Sequence, residues 1–360
     1  MTLSLTQLVS PIPGPIPELA SRSAPTDAVY PDRLYDAHGR QIRDLRLSLT
    51  DRCNMRCTYC MDPGTVFAPR ETLLTADELI RLASVCAGLG VTRVRLTGGE
   101  PTVRPELTRI IRGLADLGLE DLSMTTNGVG FAPESLDAWK TAGLGRVTFS
   151  LDTLDPERFT QVTRSVYAPS DVIASIRRAA VIGLGPVRVN CVVVRGFNDD
   201  EVVDLARLAA DLGVELRLIE FMPLDGGHRW DTAQVVPSHE SRQRIERAIP
   251  LRPLDRERTS ATATRFGFAD GSPGGLGFVS PVSQPFCGAC SRLRITAQGQ
   301  LRACLFGTDE GDLRTPMRTG ADDESVRTIL RDIVWNKRAG HGIGTPDFER
   351  PAQAMNGIGG

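Results

Sequence analysis

A strand-then-helix rhythm is the feature of this 360-residue chain that most restricts its fold. From about residue 45 to residue 221, short aliphatic runs alternate with amphipathic helical patterns, several of which stop at a glycine. Such alternation predicts parallel strands joined by right-handed crossovers. The six predicted strands are 45–49, 91–96, 122–125, 147–151, 187–194 and 215–221. We therefore predict an α/β protein built on a partial (β/α)6 TIM-like barrel.

Four segments are predicted along the chain. Residues 1–35 contain six prolines without a clear period, a composition typical of a flexible extension. The barrel is expected over residues 36–225. Beyond it the rhythm stops, and glycine-punctuated strands with a second set of cysteines predict a C-terminal lobe over residues 226–345. Residues 346–360 form a glycine-rich tail.

The composition excludes several classes of function. A formal net charge of −2 gives no general attraction to nucleic acid or to an anionic membrane. No apolar run approaches the roughly 20 residues that a bilayer span requires, and the start lacks a signal-peptide pattern. We therefore expect a cytoplasmic protein with no nucleic-acid or membrane partner. Only Lys140 and Lys337 are lysines among the 42 basic residues, so the binding of anions must depend on arginine.

Three closely spaced cysteines, Cys53, Cys57 and Cys60, follow the first predicted strand. The C-x3-C-x2-C spacing puts their sulfurs on one loop. Three thiolates are one short of the four that complete an ordinary iron–sulfur site, so a 4Fe-4S cube held here would keep one iron open. A zinc knuckle or a redox-active cysteine pair is the alternative. Such zinc sites need four protein ligands, and no fourth Cys or His lies nearby.

Small polar motifs close other predicted strands. In (β/α) barrels the chemistry takes place at the carboxyl ends of the strands. The motifs and the cysteine loop therefore predict one active site at that end of the barrel. The motifs are Gly98-Gly99-Glu100-Pro101, Thr125-Thr126-Asn127-Gly128, Ser150-Leu151-Asp152 and Glu220-Phe221-Met222-Pro223.

A second cysteine set, Cys287, Cys290 and Cys304, lies in the predicted lobe. Its C-x2-C-x13-C spacing is again a three-thiolate pattern and leaves the fourth ligand open. On spacing alone, a structural zinc site completed by one of the four histidines is the alternative. The two remaining cysteines, Cys86 and Cys191, fall in a helical and a strand pattern and are predicted to be buried apolar residues.

The run Ser-Leu-Thr-Asp-Arg-Cys53-Asn-Met-Arg-Cys57-Thr-Tyr-Cys60 resembles the signature of radical S-adenosylmethionine (SAM) enzymes. The resemblance implies that the open iron chelates the amino and carboxylate groups of SAM. An electron from the cluster then breaks the sulfonium to give a 5′-deoxyadenosyl radical. At position 99, glycine is expected to let backbone groups approach the ligand. The positions that match SAM-binding residues of the family are Tyr59, Gly99, Ser150 and Met222.

The first cysteine run, the Gly-Gly-Glu-Pro strand end, the run from Cys287 to Arg294 and the terminal Gly-Gly together resemble the GTP 3′,8-cyclases of molybdenum cofactor biosynthesis. The resemblance extends from about residue 33 to the last residue. It implies a second 4Fe-4S cluster in the lobe, with its open iron facing the guanine of GTP. The implied partners are GTP, an external one-electron reductant, a downstream pterin-forming enzyme of the pathway and a second copy of the chain in a homodimer.

The reaction implied by this resemblance is that of a lyase. The adenosyl radical removes the hydrogen at C3′ of GTP, and the resulting carbon radical attacks C8 of the guanine. The product is (8S)-3′,8-cyclo-7,8-dihydroguanosine 5′-triphosphate. The resemblance implies that the tail residues Gly359 and Gly360 enter the site and assist catalysis. Arg217, on the sixth predicted strand, points toward the same mouth and is predicted as a further polar anchor with a catalytic role.

A triphosphate with roughly four negative charges needs several fixed cations, and guanidinium groups bind phosphate oxygens through paired hydrogen bonds. The family usually has lysine where Arg188 stands, so the geometry of that contact differs here. The positions that match substrate-binding residues of the family are Arg46, Arg95, Thr125, Arg188, Arg292, Leu293 and Arg294.

Two other functions share parts of this pattern. Another two-cluster radical SAM enzyme, such as a peptide maturase, would have both triads, but it usually carries more downstream cysteines and does not need arginines in its pocket. A non-catalytic iron–sulfur electron carrier would have the clusters, and its SAM motifs would be accidental. Cleavage of SAM by the reconstituted protein separates the electron carrier from the enzymes.

Overall fold

The computed structural model describes residues 32–225, 229–307, 310–346 and 348–359. The predicted proline-rich extension over residues 1–35 lies almost entirely outside the described residues, as does Gly360. Within the described ranges, no helix is both long enough and apolar enough to cross a membrane.

Six parallel strands and the helices between them form the first part of the structure. Neighbouring strands pair in parallel and in chain order, which confirms the predicted partial barrel. The strands are β1 (Asp44–Ser48), β2 (Arg93–Thr97), β3 (Asp121–Thr126), β4 (Arg146–Ser150), β5 (Arg188–Val193) and β6 (Glu215–Glu220). The helices are α1 (Ala76–Gly88), α2 (Leu107–Ala115), α3 (Ser135–Thr141), α4 (Pro156–Thr163), α5 (Pro169–Val181) and α6 (Val202–Leu212).

Local sequence signals explain where these helices begin and end. At the start of α1, the Glu78 N–H donates to Thr75 Oγ1 at 3.2 Å and the Thr75 N–H donates to Glu78 Oε2 at 2.7 Å, which forms a capping box. Helix α6 ends at Gly213, whose φ of +65° is a left-handed conformation that glycine adopts without strain. These short helices fit between successive strands and cover the outer face of the sheet.

Beyond β6, the residues that the structure describes contain six further strands and four helices. The strands are β7 (Leu251–Leu254), β8 (Ala263–Phe268), β9 (Gly275–Val279), β10 (Arg292–Ile295), β11 (Gln300–Arg302) and β12 (Glu310–Asp312). The helices are α7 (Ser238–Glu246), α8 (Arg314–Arg318), α9 (Asp323–Trp335) and α10 (Met355–Ile358). The predicted hairpin between residues 293 and 305 is confirmed, because β10 and β11 pair antiparallel.

The lobe strands extend the barrel sheet at both of its edges instead of forming a sheet of their own. Strand β10 pairs in parallel with β1, and β9 pairs in parallel with β6. The resulting sheet has the order β12-β11-β10-β1-β2-β3-β4-β5-β6-β9-β8-β7. The first triad follows β1, whereas Cys287 and Cys290 precede the parallel strand β10. This pairing therefore places the two cysteine-bearing segments at opposite ends of the paired strands.

The inner face of the sheet is polar. Along β1, Leu45 and Leu47 point outward into the hydrophobic core, whereas Arg46 points inward. Across the sheet, Arg46 lies beside Arg95 of β2 and Arg294 of β10. Branched apolar side chains usually fill the interior of a TIM barrel, so this row of arginines departs from the usual packing.

Candidate active site with two cysteine triads

A cavity of about 320 Å³ opens on the inner face of the barrel, within the usual size range of small-molecule sites. Both cysteine triads border it. The first triad is Cys53, Cys57 and Cys60, and the second is Cys287, Cys290 and Cys304. The other predicted site residues that line the cavity are Tyr59, Gly99, Ser150, Met222, Arg46, Arg95, Thr125, Arg217, Arg292 and Arg294.

The loop that carries the first triad packs directly against the glycine turn after β2. The Gly99 N–H donates to Thr50 O at 2.7 Å, and the Glu100 N–H donates to Arg52 O at 2.8 Å. A Cβ on Gly99 would lie 2.4 Å from Arg52 O. Contact with the cysteine loop therefore requires glycine here, a cause that is separate from the approach of a ligand.

Two buried carboxylates lie beside the first triad. Glu100 accepts a hydrogen bond from Thr126 Oγ1 at 2.7 Å. Asp152 accepts from the Tyr59 hydroxyl at 2.5 Å and from the Val192 N–H at 2.8 Å, and burial raises its pKa to about 6. Because Tyr59 lies between two of the cysteines, Asp152 anchors the cysteine loop to the ends of β4 and β5.

The three cysteines of the first triad are half-buried, with the carboxylates Glu100 and Asp152 and the guanidinium of Arg56 nearby. Burial raises the pKa of Cys53 to about 11, and burial with the charge of Cys53 raises that of Cys60 to about 12. The Met55 N–H donates to Cys53 Sγ at 3.4 Å, and the Asn356 N–H donates to Cys60 Sγ. Hydrogen bonds of this kind stabilise iron-bound thiolates. Three free thiols with N–H donors behind them and a cavity in front fit a 4Fe-4S cluster with one open iron.

The second triad lies among buried cations. Arg292 Nη2 donates to Cys290 Sγ at 3.3 Å, and Arg40 Nη1 donates to Cys287 O at 2.8 Å. Burial alone would raise the pKa of Cys290, but the positive charges of Arg292 and Lys337 lower it to about 6. Three free cysteines in a cationic setting fit a second thiolate-bound cluster.

His341 borders the cavity close to the second triad. It is therefore the histidine to consider as a fourth ligand of a structural zinc site. Its Nε2 contacts Pro281 O at 2.9 Å, and its Nδ1 accepts from the Ile343 N–H at 3.0 Å. A neutral ring with its proton on Nε2 satisfies both contacts, and burial lowers the pKa of His341 to about 4. Both ring nitrogens are engaged, so His341 does not offer a fourth ligand to the second triad.

Three inward-facing arginines, Arg46, Arg95 and Arg294, form what we term the arginine cluster. In the part of the chain that the structure describes, their side chains form no ion pair and no hydrogen bond. Burial, followed by repulsion from neighbouring guanidinium groups, lowers the pKa of Arg46 and Arg95, and lowers that of Arg294 to about 10. Buried positive charge without counter-charge is unfavourable and is relieved by a bound anion. The cluster therefore fits the phosphate groups of a nucleotide.

Arg217 and Arg188 are placed differently from the arginine cluster. Arg217 borders the cavity, but its Nε donates to Glu215 Oε1 at 2.6 Å. Arg188 borders a smaller cavity of about 70 Å³ on the same face of the sheet. Its guanidinium lies 2.6 Å from Glu257 Oε1 and 3.3 Å from Glu215 Oε1. Glu257 therefore competes with substrate for the Arg188 guanidinium.

The sequence prediction of Leu293 as a substrate-binding residue needs correction for its side chain. Leu293 is 0% exposed and packs in the main hydrophobic core. Alternate residues of a strand point to opposite faces, so Arg292 and Arg294 reach the cavity while the Leu293 side chain points away from it. A contact between Leu293 and substrate would involve its backbone.

The C-terminal tail folds back against the barrel strands. Ile358 is fully buried, and Asn356 Nδ2 donates to Asp51 O at 3.3 Å. At Gly359, φ is +83°, and a Cβ would lie 2.8 Å from Ser48 Cβ on β1. Of the two tail residues predicted to enter the site, the structure describes Gly359, and Gly360 lies outside the described residues.

Some residues around the site were not assigned a role from the sequence. Asp152 stands in the strand-four motif, but no sequence pattern indicates its hydrogen bond to Tyr59. Arg40 and Lys337 are buried beside the second triad. For Lys337, the rarity of lysine in this chain is the one sequence feature that could have indicated a special role. The predicted burial of Cys86 and Cys191 is confirmed, at 0% exposure each.

Two family models match this chain and define its class. The Radical SAM superfamily model matches residues 47–209, and the Molybdenum Cofactor Synthesis C model matches residues 214–343. The chain is therefore a radical SAM enzyme, which uses SAM and a 4Fe-4S cluster, with a C-terminal region of the type that carries a second cluster.

Curated relatives narrow this class to one family. A protein of Mycolicibacterium smegmatis is 43% identical over 333 residues, which cover 91% of this chain and 92% of the relative. A protein of Streptomyces coelicolor is 44% identical over 331 residues, which cover 91% of this chain and 96% of the relative. Both are named GTP 3′,8-cyclase. The chain belongs to the GTP 3′,8-cyclase family, which sets aside the zinc and electron-carrier alternatives.

A solved structure supports the fold independently. SuiB of Streptococcus suis bound to S-adenosylmethionine has a TM-score of 0.62 to this chain, with coverage of 88% of this chain and 78% of SuiB. The two sequences are 13% identical. The likeness confirms the mixed α/β sheet of a radical SAM protein and carries no information on substrate.

Proposed function

We propose that this chain converts GTP to (8S)-3′,8-cyclo-7,8-dihydroguanosine 5′-triphosphate in the cavity between the two cysteine triads. This is the first step of molybdenum cofactor biosynthesis. One observation carries the proposal beyond family membership: both triads and the arginine cluster line the same cavity. The two triads suit two clusters with open irons, and the arginines suit a triphosphate, so the pieces needed for this reaction lie within reach of one bound nucleotide.

The first triad would hold the SAM cluster. Cys53, Cys57 and Cys60 would each bind one iron and leave the fourth iron open toward the cavity. When bound, this cluster and SAM supply the 5′-deoxyadenosyl radical that removes the hydrogen at C3′ of GTP. The residues that would hold SAM are Tyr59, Gly99, Ser150 and Met222, all of which border the cavity.

The arginine cluster would bind the triphosphate. Guanidinium groups without counter-charge gain charge-assisted hydrogen bonds when phosphate oxygens reach them, and they lose their mutual repulsion. Arg217 borders both cavities and would orient the nucleotide between the phosphate end and the reacting ribose. Thr125 lines the same wall at the end of β3 and would add a neutral hydrogen bond to the nucleotide.

The second triad would face the guanine. Arg292 lies next to both this triad and the arginine cluster. Its guanidinium carbon is 5.0 Å from the ring centroid of Phe286, and its Nη2 donates a hydrogen bond to Cys290 Sγ. The stacked position holds the guanidinium plane at the cavity wall. Arg292 would thus fix the nucleotide close to the open iron of the second cluster, while its neighbour Arg294 contacts phosphate.

The C-terminal tail would seal the site. Gly359 lies against Ser48 and Thr97, the last residues of β1 and β2, where a side chain does not fit. A buried tail at this position would keep water and oxygen from the reacting ribose. Deletion of Gly359 and Gly360 is expected to lower product formation while both clusters remain intact. Unchanged product formation with intact clusters would remove the tail from the reaction.

The remaining partners follow from the proposed reaction. The cluster at the first triad needs single electrons, so an external one-electron reductant is required. The cyclised nucleotide needs further rearrangement to a pterin, so a downstream enzyme must consume it. A homodimer is proposed from the family resemblance alone.

Anaerobic reconstitution tests the proposed function. The protein is supplied with iron, sulfide, a reductant, SAM and each nucleoside triphosphate in turn, and deoxyadenosine and altered nucleotide are measured. The proposal predicts that GTP raises deoxyadenosine formation and yields a cyclised guanine product. Equal deoxyadenosine with every nucleotide and no altered guanine product would contradict it.

A further inference from the structure

Lys337 holds together the two segments that carry the second triad. It follows α9 and is 4% exposed. Its Nζ donates to Arg292 O and to Ala303 O, each at 2.5 Å. Arg292 lies two residues after Cys290, and Ala303 directly precedes Cys304. One buried ammonium group is therefore hydrogen-bonded to both cysteine-bearing segments.

The charge of this ammonium group is not balanced by a carboxylate within the residues that the structure describes. Two carbonyl oxygens satisfy N–H groups but do not neutralise the charge, and an unpaired buried charge is strongly unfavourable. Its two acceptors belong to residues beside Cys290 and Cys304, so the ammonium group lies next to the segments that carry these sulfurs. Thiolates bound to iron at the second triad would supply the missing negative charge, so the ammonium and the cluster would be counter-ions.

The choice of lysine is informative in this chain, where only two of the 42 basic residues are lysines. An arginine presents a planar fork of five N–H groups, whereas an ammonium group is compact and donates in three directions. Two carbonyls converge on Lys337 Nζ, which leaves one N–H without a protein acceptor among the described residues. A single ammonium nitrogen therefore serves both cysteine-bearing segments.

We propose that Lys337 is a positioning residue of the second cluster, which ties the Cys290 and Cys304 segments together and raises the reduction potential of the cluster that they bind. This rests on the proposed assignment of the second triad as cluster ligands. Reduction takes one electron from the external reductant and adds one negative charge to the cluster. A fixed cation stabilises the reduced form more than the oxidised form, so its removal lowers the potential.

A redox titration of the second cluster alone tests the proposal. The full-length chain with Cys53→Ala, Cys57→Ala and Cys60→Ala is reconstituted without oxygen and titrated with dithionite, and the reduced cluster is followed by electron paramagnetic resonance. Lys337→Met, which removes the charge at similar length, is expected to shift the midpoint potential downward. Lys337→Arg, which keeps the charge, and Lys140→Met, which removes the other, exposed lysine, are expected to leave it close to that of the parent.

The outcomes separate this inference from the proposed function. A parent chain that binds no iron overturns the assignment of the second triad itself. A parent with about four irons, together with a Lys337→Met variant of equal iron content and unchanged midpoint, overturns the role of Lys337.

A second measurement covers the case in which Lys337→Met does not retain its cluster. The parent chain is prepared with 15N at the side-chain nitrogen of lysine, and pulsed electron paramagnetic resonance of the reduced cluster is recorded. The proposal predicts a 15N coupling that Lys140→Met retains and Lys337→Arg loses. The absence of any lysine 15N coupling in the parent would overturn the proposal.

Discussion

The two cysteine triads border one cavity, yet the charges around them differ: two carboxylates and Arg56 lie beside the first, whereas cations lie beside the second. The first triad follows β1 and has the carboxylates Glu100 and Asp152 beside it, both buried and hydrogen-bonded. The second triad precedes β10 and follows β11, among the cations Arg40, Arg292 and Lys337. The same cysteine chemistry has therefore been placed in two different electrostatic fields.

The difference indicates a division of tasks. A cluster beside carboxylates is harder to reduce and is a stronger electron donor once reduced, which suits the cleavage of SAM. A cluster among cations is easier to reduce and, with the neighbouring arginines, lies in a region that attracts an anionic nucleotide. We therefore expect the first triad to carry the radical-generating step and the second to bind substrate.

The largest expected effects come from removing one thiolate of either triad. Cys60→Ala is expected to reduce deoxyadenosine formation to background, because the first cluster loses a ligand. Cys290→Ala is expected to abolish the cyclised product while about four irons remain bound at the first triad. Iron content, deoxyadenosine and product are measured on the same anaerobic samples.

Cys86→Ala is the matched control for both variants. Cys86 is a buried thiol of α1 outside the two triads, so its removal is expected to leave iron content and product unchanged. If Cys60→Ala and Cys290→Ala had identical effects on deoxyadenosine and product, the proposed division of tasks would be wrong.

The arginine cluster gives the next largest effect. Arg46→Met or Arg95→Met is expected to weaken GTP binding by roughly 10- to 150-fold, since a charge-assisted hydrogen bond contributes about 1.5–3 kcal/mol. The same variants are expected to raise the free energy of unfolding of the nucleotide-free chain, because mutual repulsion between the guanidinium groups of the arginine cluster is relieved.

Equilibrium binding of GTP and urea unfolding measure these two effects. Arg109→Met is the control, because Arg109 is an exposed helix residue paired with the exposed Asp77. Unchanged GTP affinity in both cluster variants would remove the arginine cluster from the substrate site.

A smaller effect is expected from the hydrogen bond that anchors the first triad. Tyr59→Phe leaves the buried Asp152 with one hydrogen bond fewer, at a cost of about 1–3 kcal/mol in the free energy of unfolding. Asp152→Asn combined with Tyr59→Phe is expected to cost less than the sum of the single variants, since the two residues contact each other. Additive costs in urea unfolding would show that the contact does not couple them.

The smallest expected effect concerns Glu257. This partly exposed carboxylate pairs with Arg188 at 2.6 Å and competes with a triphosphate for that guanidinium. Glu257→Gln is expected to strengthen GTP binding by up to about fivefold, because a partly exposed ion pair contributes no more than about 1 kcal/mol. Glu324→Gln, at an exposed position of α9, is the control. Weaker GTP binding in Glu257→Gln would show that Glu257 supports the substrate site.

Much of this architecture could be predicted from the sequence, because its signals are local. Periodicity and glycine stops indicated the βα units, and cysteine spacing indicated two three-ligand sites. The structure confirms the partial barrel, and membership of the family confirms the two clusters and SAM as cofactors. The roles of individual site residues remain predictions, and their placement along the cavity supports most of them.

Other features depend on contacts between distant parts of the chain. The pairing of β10 with β1 joins segments more than 240 residues apart, and no local pattern indicates it. The ion pair of Arg188 with Glu257 and the core position of Leu293 likewise follow from packing. Gly99 was expected to be glycine because of a ligand, whereas the structure shows that the cysteine loop itself requires it.

Quantification of iron and sulfide in protein purified without oxygen tests the central claim most directly, namely that each triad binds a cube with one open iron. The account predicts about eight irons per chain, falling to about four in Cys60→Ala and to about four in Cys290→Ala. A value near four in the unmodified chain, unchanged by Cys290→Ala, would contradict it.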